Sequence, residues 1–199
     1  MSAAFQLCFN DIALDPVLLR SSYKVQTKWV VLTGAPNSGK TTLIKCLMQH
    51  GFRTSPELAR VYIANEIAKG ITLEEQEKDM YNRQRGVNNF VINAEAQMPA
   101  NELIFLDRGF PDALAYSRIV GLDPNEFLCD CFQHRYAAVF CLERFTFQDD
   151  GVRFENEAGA DFLQKWLISD YFALGYDLVR VPILPVEERL DFILSRLPG

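Results

Sequence analysis

The sequence predicts a three-layer α/β domain built on a five-stranded parallel sheet, with a small hairpin lid at its ligand-facing edge. Three observations carry this. An apolar run, Trp29-Val30-Val31-Leu32, leads into Gly34-Ala35-Pro36-Asn37-Ser38-Gly39-Lys40-Thr41-Thr42, which fits G-x-x-x-x-G-K-[ST], and then into a helical run over 41–50. Two further apolar runs, 103–106 and 136–142, are continuous rather than alternating, as in strands covered on both faces. Helical patterns separate these runs, the order that produces β–α–β units with helices on both sides of a sheet.

Composition bounds the function classes. With 199 residues, 49% of them hydrophobic, the chain can bury a full core. It divides into an N-terminal extension, 1–27, and one domain, 28–199, with the lid at residues 143–157. A formal net charge of −6 without a basic stripe argues against a nucleic-acid partner. No apolar run reaches the roughly 18 residues of a membrane span, and Asn10, Asp11, Asp15 and Arg20 interrupt the stretch where a signal peptide would lie, so a cytoplasmic location is expected. Five scattered cysteines, at 8, 46, 129, 131 and 141, read as reduced and mostly buried. The two histidines, His50 and His134, do not complete a zinc set around Cys129-x-Cys131.

Taken in order, the elements place chemistry along one edge. The glycines of the phosphate loop let backbone N–H groups turn inward while the following helix aims its positive end at the same point. Lys40 would reach the β- and γ-phosphates of ATP, with GTP left open, and Thr41 would give an oxygen ligand to Mg²⁺. After a short strand at 52–54, Ser55 is an N-cap and Pro56 a first helical residue, which puts Glu57 in the first turn and Arg60 on the same face. That carboxylate either activates a substrate hydroxyl or complements the helix dipole and pairs with Arg60 at the surface. Thr72-Leu73-Glu74-Glu75 is a capping box, followed by a helical stripe of Leu73, Met80, Val87 and Val91. The amide-rich side of that stretch, with Gln84, Asn88, Asn89 and Asn93 among Arg83 and Arg85, is expected to be a solvated face, the alternative being a polar pocket wall.

The run 103–106 ends in Asp107-Arg108-Gly109, so Asp107 emerges beside the phosphate loop as a second Mg²⁺ holder and Arg108 as a phosphate contact. Helices then open at Asp112 and after Asp123-Pro124, and the run 136–142 leads to Arg144-Phe145 and an Asp149-Asp150-Gly151 turn. Alternation around that turn predicts a hairpin carrying Arg144 and Arg153 on its polar side. A helix ending at Gly175, a strand at 177–181 and a helix opening at Pro185 complete the domain, with loop 182–188 at the same edge.

Five segments together resemble the predicted AAA-type ATPase family that is similar to the ribosylnicotinamide kinase domain. They are the loop 34–42, Pro56-Glu57-Leu58-Ala59-Arg60, Asp107-Arg108-Gly109-Phe110-Pro111-Asp112-Ala113-Leu114-Ala115-Tyr116, Asp150-Gly151-Val152-Arg153-Phe154 and Gly175-Tyr176-Asp177, a resemblance spanning roughly 28–197. It implies the P-loop kinase fold of nucleoside and nucleotide kinases. It also implies that Glu57 stands where those kinases carry a substrate-activating carboxylate, Arg108 where they carry a substrate- or phosphate-contacting arginine, and Arg153 at a lid arginine. The family also contains members regarded as GTP-binding regulators, although no Asn-Lys-x-Asp guanine-reading motif occurs in this chain. The expectation is a Mg²⁺-dependent ATP-binding kinase for a small-molecule, nucleoside-like acceptor, with a homodimer as the candidate assembly. The alternative is a nucleotide switch or slow NTPase acting through a protein or lipid partner.

Overall fold

The computed structural model describes residues 7–145 and 157–198. In chain order the elements are β1 (Val25–Gln26), β2 (Val30–Thr33), α1 (Lys40–Gln49), β3 (Thr54–Ser55), α2 (Leu58–Ala68), α3 (Leu73–Lys78), α4 (Met80–Ala96), β4 (Phe105–Asp107), α5 (Asp112–Ile119), α6 (Asn125–Leu128), β5 (His134–Arg135), β6 (Ala138–Leu142), α7 (Glu157–Ala173), β7 (Leu178–Val181) and α8 (Val186–Leu194). Five strands form a parallel sheet in the order β3-β4-β2-β6-β7, and β1 pairs with β5 in a separate two-stranded sheet.

Strand alternation sorts the core into two layers. Val31, Leu106 and Val139 point to one face, where they meet Leu114 of α5 and Leu163 and Leu167 of α7. Val30, Leu32, Phe105 and Phe140 point to the other, against Leu43 and Leu47 of α1 and Leu190 and Ile193 of α8. All four residues of β2 are buried, which is why a continuous apolar run rather than an alternating one marks this strand in the sequence. Register does the rest. Leu32 lies opposite Asp107 on one side and Phe140 on the other, so β2 and β4 end level and the aspartate emerges beside the phosphate loop.

The N-terminal residues are packed rather than apart, with Leu14, Leu18, Leu19 and Tyr23 against the α5–α7 core layer. Here Arg118 and Asp170, both essentially without solvent exposure, pair at 2.6 Å. The Arg118 guanidinium also donates to the Ile12 carbonyl at 2.8 Å and stacks on Trp166 at 3.9 Å, joining α5, α7 and the N-terminal segment.

Several local expectations change. Ser55 is not an N-cap: it is the last residue of β3, paired beside Leu106, and Glu57 holds the N-cap position of α2 without a capping hydrogen bond from its side chain. Sheet pairing draws Ser55 into the strand, and Pro56 after it keeps its backbone extended. Pro185 is the N-cap of α8, not its first helical residue. The capping box at Thr72 forms with both of its hydrogen bonds, and the chain breaks at Asp79 into two helices. None of the five cysteines is joined in a disulfide; Cys46, Cys131 and Cys141 are buried, and Cys8 and Cys129 are exposed. The turn of the expected hairpin and its Arg153 lie outside the described residues.

Removing one partner of a buried ion pair leaves the other charge stranded, so Asp170→Ala is expected to destabilise the fold by about 3–5 kcal/mol. Paired apolar replacement of Arg118 and Asp170 should cost far less, and urea denaturation of both variants, read as midpoint shifts at constant slope, checks this.

Candidate functional site

The phosphate loop bridges β2 and α1 and is shaped by close approaches that only its sequence permits. A Cβ at Gly34 would stand 2.7 Å from the Leu142 carbonyl of β6, and Gly34 sits at φ +134°. Asn37 and Gly39 take φ of 62° and 82°, reversing the chain so that the loop closes on itself before α1 begins at Lys40. Three outside groups hold this curl. Gln164 of α7 accepts from the Ala35 N–H at 2.8 Å, the Phe145 N–H donates to the Asn37 carbonyl at 3.1 Å, and Arg189 of α8 donates to the Ser38 carbonyl at 2.6 Å. The Arg189 guanidinium also lies 4.7 Å from the centre of the Phe145 ring, and its Nε and Nη2 are buried without a partner.

Inside the loop Lys40 is buried, its ammonium donating to the Gly34 and Ala35 carbonyls at 2.7 and 2.9 Å and to Ser38 Oγ at 3.0 Å. Burial, and then the nearby Arg108 cation, bring its pKa down to about 7. The first turn of α1 places Thr41 Oγ1 3.1 Å from Asp107 Oδ2, while the other carboxylate oxygen, Oδ1, is buried with no hydrogen-bond partner. Burial also raises the Asp107 pKa despite the opposing pull of Arg108 and Lys40. A hydroxyl and a half-satisfied buried carboxylate facing one another make an oxygen donor set short of a cation, and hard oxygen ligands are what Mg²⁺ takes. These two residues therefore fit the metal that this loop type uses.

Arg108 is the centre of the second half of the site. It is held at φ +77°, a left-handed backbone rare for a residue with a side chain, and this turns its guanidinium back over the phosphate loop. Its Nε donates to Glu57 at 3.0 Å, and its Nη1 to Asp112 at 3.1 Å and to the Gly34 carbonyl at 3.3 Å. Asp112 in turn accepts from Thr33 at 2.9 Å and Tyr171 at 2.8 Å. Glu57 pairs with Arg60 as well, at 2.6 Å. Burial alone would push the Glu57 pKa up, but Arg108 and then Arg60 outweigh it and hold the carboxylate at about 2. Glu57 therefore pairs with Arg60 at the helix start, as one expectation had it, and its carboxylate also lines the cavity beside Arg108.

One cavity of about 880 Å³ joins these groups. Residues 36–42, Glu57, Asp107 and Arg108 line it together, and it continues between α2, α3 and α4 past Ile63, Ile67, Leu73, Met80, Val87 and Val91. No residue of α2 is buried, so its apolar side chains end at this space rather than in the core. The amide face of α4 is corrected in part: Gln84 and Asn88 are buried on the cavity wall, Gln84 donating to Asn88 at 2.8 Å and Asn88 to Ser117 at 3.3 Å, whereas Asn89 and Asn93 are exposed as expected. Sequence reasoning missed Asp112 and Arg189 as site residues. The four-residue spacing from Arg108 to Asp112 at a helix start was a usable signal for the first; nothing local to Arg189 marks it, because its partner is 151 residues away.

Comparisons with solved structures show the same fold. A NadR protein in complex with NR superposes with a TM-score of 0.63 at 19% identity, over 87% of this chain and 51% of that one, so the chain spans about half the length of that neighbour. Deoxyadenosine kinase from M. mycoides gives 0.60 at 15% identity over 84% and 97%, and thymidylate kinase from Ehrlichia chaffeensis 0.59 at 14% over 86% and 99%. The fold is therefore that of the P-loop nucleoside and nucleotide kinases. No curated protein matches the chain by sequence. A family model described as AAA domain matches residues 29–189, which contain the phosphate loop, Glu57, the Asp107–Asp112 turn and Arg189, and the chain belongs to that AAA domain family.

Proposed function

We propose that this protein is a Mg²⁺-dependent phosphotransferase that moves the γ-phosphoryl group of ATP or GTP to a hydroxyl of a small, nucleoside-like metabolite. The observation that supports this reading is the continuity of the cavity: the phosphate loop opens directly onto a second chamber with apolar walls and a fixed amide pair. A switch or simple NTPase needs only room for the nucleotide. Apolar side chains on α2 and α4 suit the faces of a planar ring, and Gln84 and Asn88, locked by each other and by Ser117, present oriented polar groups at its edge.

Phosphoryl transfer asks the protein for position and charge rather than covalent chemistry. Lys40 exchanges its two carbonyl partners and Ser38 for phosphate oxygens, and in doing so regains a firmly protonated state. Thr41 and Asp107 would hold Mg²⁺, which would neutralise charge on the phosphate oxygens. Arg108 swings part of its donor set from Glu57 toward the transferring group. That release matters, since a carboxylate held at about 2 is a weak base, and losing Arg108 lets Glu57 accept the hydroxyl proton of the acceptor. Arg153, outside the described residues, is the further cation proposed for the lid. The locking of Glu57 by two arginines is also the one feature that favours the rival, a regulatory nucleotide switch.

If Lys40 titrates near 7 in the free protein, triphosphate binding takes up a proton as pH rises through that value, and affinity declines above it. Titration calorimetry in buffers of different ionisation enthalpy should detect this uptake at pH 8 in the wild type and none in Lys40→Arg, whose cation does not titrate. For the metal, Asp107→Asn should weaken nucleotide binding strongly in Mg²⁺ and little in EDTA, whereas equal loss in both would assign Asp107 to the fold alone. For the reaction, Glu57→Gln should lower acceptor-stimulated ADP release by roughly 10²–10⁴-fold while nucleotide still binds. A screen of nucleosides and ribosyl compounds that stimulates neither protein, with equal slow hydrolysis in both, would replace the kinase by the switch.

A further inference from the structure

A second cluster of ligating side chains lies away from the cavity, where the last turn of α1 meets the first turn of α8. Cys46 and His50 stand four residues apart and so share one helix face, and Glu187 reaches them from α8. Cys46 Sγ is 3.5 Å from Glu187 Oε1, and His50 Nε2 is 3.7 Å from Glu187 Oε2. Among the described residues this is the one trio of His, Cys and acidic groups whose ligand atoms all fall within 4.8 Å of one another. We propose that Cys46, His50 and Glu187 form a binding site for a zinc-class divalent cation.

The separations suit such an ion. Tetrahedral bonds of about 2.3 Å to sulfur and about 2.0–2.1 Å to nitrogen and oxygen set ligand atoms roughly 3.3–3.7 Å apart, and the Sγ–Oε1 and Nε2–Oε2 separations of 3.5 and 3.7 Å each match a pair of ligands on one ion. The histidine is also prepared for the role. His50 Nδ1 lies 2.9 Å from the Cys46 carbonyl, and a carbonyl can only accept, so Nδ1 carries the proton and the lone pair is left on Nε2, the nitrogen that faces Glu187. This backbone bond is the usual outer partner of a metal-bound imidazole. Cys46 is buried while His50 and Glu187 are exposed, which gives the ion one soft anchored ligand and an entry path from solvent. Binding exchanges a proton for the metal: the S–H bond gives its proton to solvent as the sulfur–metal bond forms, and water fills the fourth position.

The site would fasten two helices that both serve the phosphate loop. Helix α1 starts with Lys40 and Thr41, and α8 carries Arg189, two residues beyond Glu187 and bonded to the Ser38 carbonyl. A thiolate-containing set selects Zn²⁺ over Mg²⁺, which separates it from the oxygen-only pair of Thr41 and Asp107.

The test uses the full chain, stripped with a chelator and free of nucleotide. Co²⁺ titration should give the near-ultraviolet absorption of a thiolate-bound ion at one equivalent, and Zn²⁺ should displace it with a Kd of about 1 μM or tighter. A large excess of Mg²⁺ should leave the signal intact, and Zn²⁺ should raise the thermal midpoint. His50→Ala and Glu187→Gln, both at exposed positions, should each weaken binding at least about tenfold, as should Cys46→Ser, while Cys8→Ser and Cys129→Ser change nothing. The proposal is overturned if the wild type binds no Zn²⁺ at about 100 μM, if Mg²⁺ competes, or if binding survives His50→Ala and Glu187→Gln unchanged.

Discussion

The salt link between Arg108 and Asp112 is the constraint on which the rest of the site depends. Its two residues are only four apart in sequence, yet it joins four separate pieces of the fold: Asp112 is gripped by Thr33 at the end of β2 and by Tyr171 of α7, and Arg108 reaches Glu57 and the phosphate loop. An Arg108 in the ordinary right-handed or extended backbone would project elsewhere. The left-handed φ at that residue is a local strain of about 1–3 kcal/mol, and the hydrogen bonds made on arrival are what hold it.

Before any ligand arrives, the cations of the site are already committed to oxygen atoms of the protein. Lys40 rests on two carbonyls of the loop it serves, Arg108 on two carboxylates, and Arg189 on the Ser38 carbonyl. The charges are therefore oriented in advance, and on the proposed reading a phosphate would replace weaker partners instead of ordering free side chains. Such preorganisation is where most of the electrostatic stabilisation of a transferring group originates. It also explains why burial moves Lys40 so far from its ordinary value without unfolding the loop.

The sheet and the phosphate loop were legible in the chain because both are written locally. Continuous apolar runs specify doubly covered strands, and fixed glycine spacing specifies a curl. The placement of Asp107 and Glu57 was also legible, since Asp107 ends β4, Glu57 comes just after β3, and the two strands pair in parallel. What could not be read was any feature set by two distant segments. Gln84 and Asn88 look like surface amides until α4 is laid beside α5, where Ser117 gives Asn88 its partner. Ser55 looked like a cap until pairing with β4 claimed it for the sheet. Arg189 gave no sign at all, because only tertiary packing of α8 under the loop brings it to Ser38.

The absence of buried residues in α2 has an evolutionary meaning. Core positions resist change because each alters packing on all sides, but Arg60, Ile63 and Ile67 face an open chamber on one side and solvent nearby. Replacements there reshape the chamber while leaving β2, β4 and their two core layers untouched. On the proposed kinase reading, acceptor preference and thermodynamic stability would thereby be carried by different residues, so one lineage could exchange the molecule it serves without first acquiring a stabilising reserve.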